Sequence, residues 1–152
     1  AVREGIAEGE VLEVEISEAD KLDLNELLDL VAISTVADIV PLLDENRSLV
    51  KYGIERLNRR ERDGLSILLS ELSLDGVIDA SNISFVIAPN INALGRMDNA
   101  GLAVELLASY ADKDKLDSLA DETVRTNYKR KSVQEETARI CEHALKTEDC
   151  GQ

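Results

Sequence analysis

The pattern of hydrophobic and polar positions predicts helices over most of this chain. From Asn25 onward, apolar residues recur at spacings of three and four, which is typical of a helix with one buried face. Pro41 disfavours helical geometry at Val40, so this first helix is predicted to end near Asp38 or Ile39. The helix therefore carries a carboxylate in its last turn.

Four further stretches show the same helical spacing. They are residues 45–58, 64–73, 82–94 and 99–110. In the first of them, Leu49, Ile54 and Leu57 are predicted to point inward and the basic residues outward. Pro89 is predicted to kink the third, because proline removes a backbone donor inside a helix, and Gly95 is placed to end it.

The two ends of the chain differ from this middle part. Residues 9–17 alternate acidic and apolar side chains with a period of two, which predicts a strand with one wet face. Residues 112–146 form one long helical pattern with apolar positions near both ends, whereas residues 125–136 are almost entirely polar. A helix that is polar all round typically bridges between domains. The predicted fold is therefore mainly α, a helical bundle-like segment with one short β element and a long C-terminal connector helix.

Composition refines this picture. Aromatic residues make up only 3% of the chain and tryptophan is absent, so the core is predicted to be aliphatic. The net charge of −14 argues against a free-standing nucleic-acid-binding module, since phosphate neutralisation needs a basic face. Residues 47–62 are nevertheless basic, and so is the short run 128–131. Each is either a solvated face, which in residues 47–62 pairs with the acidic N-terminal segment, or a surface that binds a strand.

Asp38 is the first candidate for chemistry. Seven of the ten residues from Val31 to Val40 are Val, Ala or Ile, so this carboxylate is expected to be buried. Burial and the negative end of the helix dipole both disfavour an ionised carboxylate, and together they imply a cationic partner. That partner is either an arginine such as Arg47 or a metal ion, for which a single aspartate supplies too few ligands.

The second candidate is the stretch 88–101. Asn90 and Asn92 flank an apolar residue, and Arg96 is expected in a tight turn containing Gly95, just before a helix N-terminus. Free backbone N–H groups and a guanidinium together make a plausible anion site. The alternative is that Arg96 pairs with Asp98.

The remaining reactive side chains predict little chemistry. Cys141 and Cys150 lack metal-site spacing and are expected to be reduced thiols of a cytoplasmic protein. His143 is the only histidine and is expected on a solvated surface, because a metal site needs several ligands. No signal peptide and no apolar run of membrane-spanning length is present.

Two blocks in series carry a family resemblance. "LLDLVAISTVADIVPLLDENRSLVKYGIERLN" and, some thirty residues later, "FVIAPNINALGRMDNAGLAVELL" resemble the RecJ-type single-strand-specific exonucleases of the DHH phosphoesterase superfamily. Those proteins carry a "VAD…ENR" block, an "NAxGR" block and then a long helix that leads to a second domain. The match covers roughly residues 24–147 in the same order.

The resemblance implies a Mn²⁺- or Mg²⁺-dependent phosphodiesterase of DNA repair and recombination that removes nucleotides from the 5′ end of single-stranded DNA. Asp38 would correspond to a metal-binding, catalytic aspartate, and Arg96 and Asn92 to residues that face substrate phosphate. Residues 1–110 would be the C-terminal portion of a DHH-type catalytic domain, part of an α/β fold in the parent protein. Residues 111–152 would be the interdomain connector helix and tail.

The sequence also departs from the family. The Asp-His-His signature is absent, so the other metal ligands are expected in a preceding half of the DHH domain, and a C-terminal partner domain is expected as well. Asn90 stands where the family usually has arginine. The isolated chain is therefore expected to be inactive and to bind no metal alone. Two alternatives remain: a non-catalytic helical interaction module of a degenerate DHH protein, or a phosphodiesterase acting on short RNA or cyclic dinucleotides.

Overall fold

The computed structural model of the protein describes residues 23–96, 100–108 and 112–148. Within these ranges the regular structure is helical, which confirms the prediction of a mainly α fold with a long C-terminal helix. The predicted strand at residues 9–17 lies outside the described residues.

The described helices follow the predicted order. A 3₁₀ turn, Leu24–Leu27, leads into the first α-helix, and the Asp23 side chain caps the turn by accepting from the N–H of Asn25. The α-helices are α1 (Leu28–Ala37), α2 (Asp44–Arg59), α3 (Asp63–Glu71), α4 (Ala80–Asn82), α5 (Ala88–Arg96), α6 (Ala100–Ala108) and α7 (Lys113–Glu148). A π-helical turn, Ile83–Ile87, joins α4 to α5.

Helices α1 and α2 pack closely together and form one side of the core. Helix α2 buries Val50 and Leu57, whereas the predicted inward residue Leu49 is exposed. The two helices approach most closely at Gly53, where an added Cβ atom would lie 2.2 Å from the carbonyl oxygen of Leu28. The face of α2 that contacts α1 therefore contains Val50, Gly53 and Leu57, and Leu49 lies outside this face.

The helix that contains Pro89 is continuous through the proline. The turn before it widens to π geometry, and the N–H of Ala88 donates to the carbonyl oxygen of Ile83. This wider turn accommodates a residue that lacks its own backbone donor. Gly95 does not end the helix, which continues to Arg96.

Helix α7 has two halves with different surroundings. Its first half packs against α3, α5 and α6, and it buries Leu116, Leu119 and Ala120 over a second apolar cluster. Within the polar middle of the helix, Thr126 and Asn127 are buried, so this stretch is not solvated on every face. All residues from 131 to 146 are exposed, so the second half of α7 projects away from the other described helices.

The core is aliphatic, as the composition predicted. Its largest fully buried side chains are Leu and Ile from α2, α3, the π turn, α5 and α6, with Ile78 from the segment between α3 and α4 and Thr123 from α7. The described aromatic side chains are all on the surface: Tyr52, Phe85 and Tyr128. Packing within the described residues therefore rests mainly on branched aliphatic side chains and not on aromatic ones.

Candidate active-site edge

Asp38 lies at the C-terminal end of α1, but it is not buried. Its backbone N–H donates to the carbonyl oxygen of Ser34 at 3.0 Å, and its side chain is exposed. The expectation of burial is wrong because the helix ends at Ala37 and the chain turns outward. Ile39 follows with a φ of 55° and is 88% exposed. Among the described residues no ion pair joins Asp38 to Arg47.

The buried carboxylate of this helix is Asp29. It is 3% exposed and forms a two-pronged pair with Arg62, with Nε to Oδ2 at 2.7 Å and Nη2 to Oδ1 at 3.1 Å. Arg62 also donates to the carbonyl oxygens of Glu26 and Leu107. The helical spacing could have predicted the burial of Asp29, since it precedes Ala32 by three residues and therefore lies on the same, buried face of α1.

Helix α5 carries the predicted phosphate-facing residues. Asn92 is exposed, whereas Asn90, two residues earlier, is buried. The sequence predicted Arg96 in a tight turn before a helix. In the structure it is instead the last residue of α5. The predicted pair between Arg96 and Asp98 lies outside the described residues.

A cleft of about 290 Å³ brings α1, the π turn, α5 and α7 together. Its lining residues are Ala37, Ser84, Ala88, Pro89, Asn92, Ala93 and Arg130. Asn92 therefore faces the same cleft as Ala37, the residue before Asp38. The first-block aspartate and the second-block asparagine lie at one edge of the molecule, although more than fifty residues separate them in sequence.

Among the described residues of that lining, Arg130 is the one charged side chain. It belongs to the basic run 128–131, which the sequence predicted to be either a solvated face or a surface that binds a strand. Its Nε donates to Oδ1 of Asn127 at 3.1 Å, and its Nη1 donates to Oε1 of Gln134 at 3.2 Å. Asn127 in turn donates from Nδ2 to Oδ1 of Asn90 at 3.0 Å. The three-residue spacing of Asn127 and Arg130 predicts that they share one face of the helix, but the sequence does not show that this face contacts α5.

The described residues do not make a complete metal site. No group of three or more His, Cys, Asp or Glu side chains is close enough within them to hold a metal ion. The exposed carboxylate of Asp38 has the oxygen atoms that Mg²⁺ and Mn²⁺ prefer, but it supplies one residue of the several needed. Among the described residues, Asp38 can therefore supply one ligand to a metal ion, but these residues do not form a complete metal site.

The basic helix α2 uses part of its charge internally. Arg56 pairs with Glu61 at 3.0 Å, and Arg60 donates to the carbonyl oxygen of Leu74. Lys51 lies over the Tyr52 ring at 5.5 Å from its centre. Of these three residues only Arg56 pairs with a carboxylate, since a carbonyl oxygen and an aromatic ring carry no net charge, and Arg60 is the cap residue that follows α2. With the pair of Arg62 and Asp29, two of the six basic residues of segment 47–62 are balanced by a carboxylate within the described residues.

The C-terminal half of α7 carries the other reactive groups. His143 and Cys141 are both exposed, as the sequence predicted for His143, and Cys141 is a free thiol. Cys150 lies outside the described residues. No helix in the described part of the chain combines the length and apolar character needed to cross a membrane.

Comparison with known proteins agrees with the two sequence blocks. A scan against models of protein families finds no match. The single-stranded-DNA-specific exonuclease RecJ of Bacillus subtilis (strain 168) is 43% identical over 110 residues, which cover 72% of this chain and 14% of that protein.

Solved structures give the same result. The crystal structure of RecJ from Thermus thermophilus in complex with Mg²⁺ superposes with a TM-score of 0.70 at 35% identity, covering 76% of this chain and 18% of that one. The Mn²⁺ complex of that protein matches equally well, with 17% of its chain covered. The chain thus spans less than a fifth of the length of each of these relatives. Over about three quarters of its own length, it is homologous to one segment of the RecJ exonucleases.

Proposed function

We propose that this chain is a segment of a metal-dependent exonuclease that hydrolyses phosphodiester bonds of single-stranded DNA from the 5′ end. Residues 1–110 would belong to its catalytic domain and residues 111–152 to the connector helix and tail. The homology to RecJ exonucleases supports the reaction class. In this proposal the parent protein is cytoplasmic, and the remaining active-site residues and the second domain come from outside this segment.

The observation that carries the proposal is the exposure of Asp38 beside the cleft. The carboxylate has no ion-pair partner among the described residues, and it follows directly on a residue that lines the cleft. An aspartate that stabilises a fold is normally paired or caps a helix N-terminus, and Asp38 does neither. It is therefore free to supply an oxygen ligand to a metal ion held mainly by residues elsewhere in the parent.

In the parent enzyme, Asp38 would be a metal ligand and thus a catalytic residue. A bound divalent ion polarises the scissile phosphate and lowers the pKa of a water molecule. Asn92 faces the cleft and can donate its side-chain N–H groups to a phosphate oxygen. Arg96, at the end of the same helix, is the second proposed phosphate-binding residue.

The test is the full-length parent protein with Asp38→Ala. Loss of one ligand should lower kcat on a single-stranded DNA substrate by about 100-fold or more, since metal catalysis supplies several kcal/mol. Asp117→Ala is the matched control, because Asp117 is exposed on α7 and away from the cleft. Full activity of the Asp38 variant in the presence of Mn²⁺ would contradict the metal-ligand role.

One observation favours a second function, that of a helical interaction module. Residues 131–146 are exposed on every face of α7, and they include Val133, Ile140 and Leu145. A helix of this kind is available to a partner. The two functions separate in the same assay: a parent protein that degrades neither DNA, short RNA nor cyclic dinucleotides with Mn²⁺ present would be the non-catalytic module.

A further inference from the structure

We infer that Arg130 on the connector helix α7 binds a backbone phosphate of the substrate strand in the cleft, and that the buried pair Asn90–Asn127 positions it. This inference rests on the proposed function and extends it, because it adds a contact from the connector helix to the residues of the catalytic domain. It assigns a direct substrate contact to a helix that otherwise only links two domains.

The first step is the charge of the cleft. Among the described residues that line it, Arg130 is the only charged one and none is a carboxylate. Arg125 and Arg139 on the same helix each pair with a carboxylate within one turn, at 3.1 Å to Asp121 and 3.0 Å to Glu136. Arg130 has no such pair, so its positive charge is not neutralised by any of the described residues.

The second step is the orientation of the guanidinium group. Nε and Nη1 donate to the amide oxygens of Asn127 and Gln134, at 3.1 and 3.2 Å. Both acceptors are neutral, so they fix the plane of the group without cancelling its charge. The described residues supply no acceptor to Nη2. Since a guanidinium group has five N–H donors, several remain for an anion in the cleft.

The third step explains a buried polar pair. Asn90 and Asn127 are 5% and 4% exposed, and burying amide groups in place of apolar ones does not favour folding. The pair is hydrogen-bonded throughout: Asn90 donates to the carbonyl oxygen of Val86 at 2.8 Å and accepts from Asn127, which accepts from Arg130. The chain of bonds ties the orientation of Arg130 to helix α5.

The ligand follows from these groups. Asn92 lies one turn from the proline on the same cleft, so an oxygen anion there meets a guanidinium group and a side-chain amide. Phosphate oxygens suit both donors, and arginine is the side chain best matched to them. The described residues of the lining include small side chains such as Ala37, Ala88 and Ala93 and no aromatic ring for a base. A backbone phosphate therefore fits this cleft better than a nucleobase does, and binding should not depend on sequence.

The experiment uses the full-length parent protein and a phosphorothioate oligothymidylate that resists cleavage. Its Kd is measured over a range of salt concentrations for the wild type and for Arg130→Gln. Loss of one charge-assisted contact should raise Kd about tenfold. Loss of one phosphate contact should also reduce the slope of log Kd against log salt by about 0.7. A purely structural role for Arg130 would not change that slope.

Two further variants make the result specific. Lys129→Gln removes the same charge from a neighbouring exposed position outside the cleft, and it should leave both Kd and the salt slope unchanged. Arg130→Lys keeps the positive charge but loses the planar guanidinium group with its several N–H donors. It should therefore keep the salt slope while Kd rises about threefold. Thermal unfolding of each variant confirms that the fold is retained.

The outcomes separate this inference from the proposed function. If the wild-type protein binds and degrades single strands and Arg130→Gln has the same Kd and salt slope, the inference about Arg130 is overturned and the proposed function is not. A wild-type protein that binds no single strand overturns both. A reduced slope in Arg130→Gln, together with full activity of Asp38→Ala, would support the phosphate contact and reject the metal-ligand role.

Discussion

At the scale of single residues, the pair Asp29–Arg62 connects three parts of the molecule. The carboxylate belongs to α1, the arginine lies just before α3, and the guanidinium group also binds the carbonyl oxygens of Glu26 and Leu107. Asp29 is 3% exposed, and among the described residues Arg62 is the one cation paired with it, while the N–H of Leu30 also donates to Oδ1 at 2.8 Å. A buried pair of this kind contributes little net stability when intact, yet breaking it is costly.

Replacement of Arg62 by alanine is therefore expected to destabilise the protein strongly. The variant leaves a buried carboxylate and removes two bonds to backbone carbonyls, so the free energy of unfolding should fall by about 3 kcal/mol or more. Urea denaturation followed by circular dichroism measures the change.

The matched control for Arg62 is Arg125→Ala. It breaks an exposed pair with Asp121 on α7, and its cost should stay below about 1 kcal/mol. The double variant Asp29→Ala, Arg62→Ala should recover part of the loss. Equal effects of the two single arginine variants would contradict the assignment of Asp29 as the buried, dependent partner.

At the scale of elements, the close approach of α1 and α2 depends on Gly53. An alanine Cβ there would lie 2.2 Å from the Leu28 carbonyl oxygen and 2.5 Å from the Cβ atom of Ala32. Both distances are far below van der Waals contact, and one of the atoms is backbone. The helices can therefore accept a side chain only by moving apart, which would also shift the end of α1 that carries Asp38.

Substitution of Gly53 by alanine is expected to destabilise the protein by about 1–3 kcal/mol, even though alanine is the better helix former by about 1 kcal/mol. Gly101→Ala in α6 is the control, because nothing lies within 4 Å of its added Cβ atom. That variant should be neutral or slightly stabilised. Thermal unfolding of both variants gives the comparison, and a stabilised Gly53→Ala protein would contradict the close packing of α1 and α2.

The sequence predicted these elements better than it predicted their contacts. Helix positions followed from apolar spacing and from Pro41, which act over a few residues. Whether Asp38 is buried could not be predicted in the same way. A dense apolar run shows that many of its residues favour burial, but it does not show which face of the helix is buried. The contact of Asn90 with Asn127 joins positions 37 residues apart on two helices, and no local pattern encodes that distance.

At the scale of the whole molecule, α7 combines an anchored half and a projecting half. Thr123, Thr126 and Asn127 are buried against the body of the molecule, whereas residues 131–146 are exposed. A helix of 36 residues is about 54 Å long, so its far end extends well beyond the other described helices. The apolar residues on that half bury no surface against them.

Truncation of the chain after Glu136 is therefore expected to leave the free energy of unfolding within about 0.5 kcal/mol of its original value. A matched truncation after Glu122 removes the buried stretch and should abolish cooperative unfolding. Chemical denaturation of the three chains tests this. A large loss of stability in the first truncation would show that the projecting half contributes to the fold.

The surface position of the aromatic side chains determines what spectroscopy can detect in this protein. Without tryptophan, its near-ultraviolet signal comes mainly from tyrosine, and the described tyrosines are Tyr52 on α2 and Tyr128 on α7. Melting of the aliphatic interior will therefore change the emission of these two tyrosines little. Tyr128 lies two residues before Arg130 and therefore on nearly the opposite face of α7, so its emission reports the solvent-facing side of that helix and not the cleft.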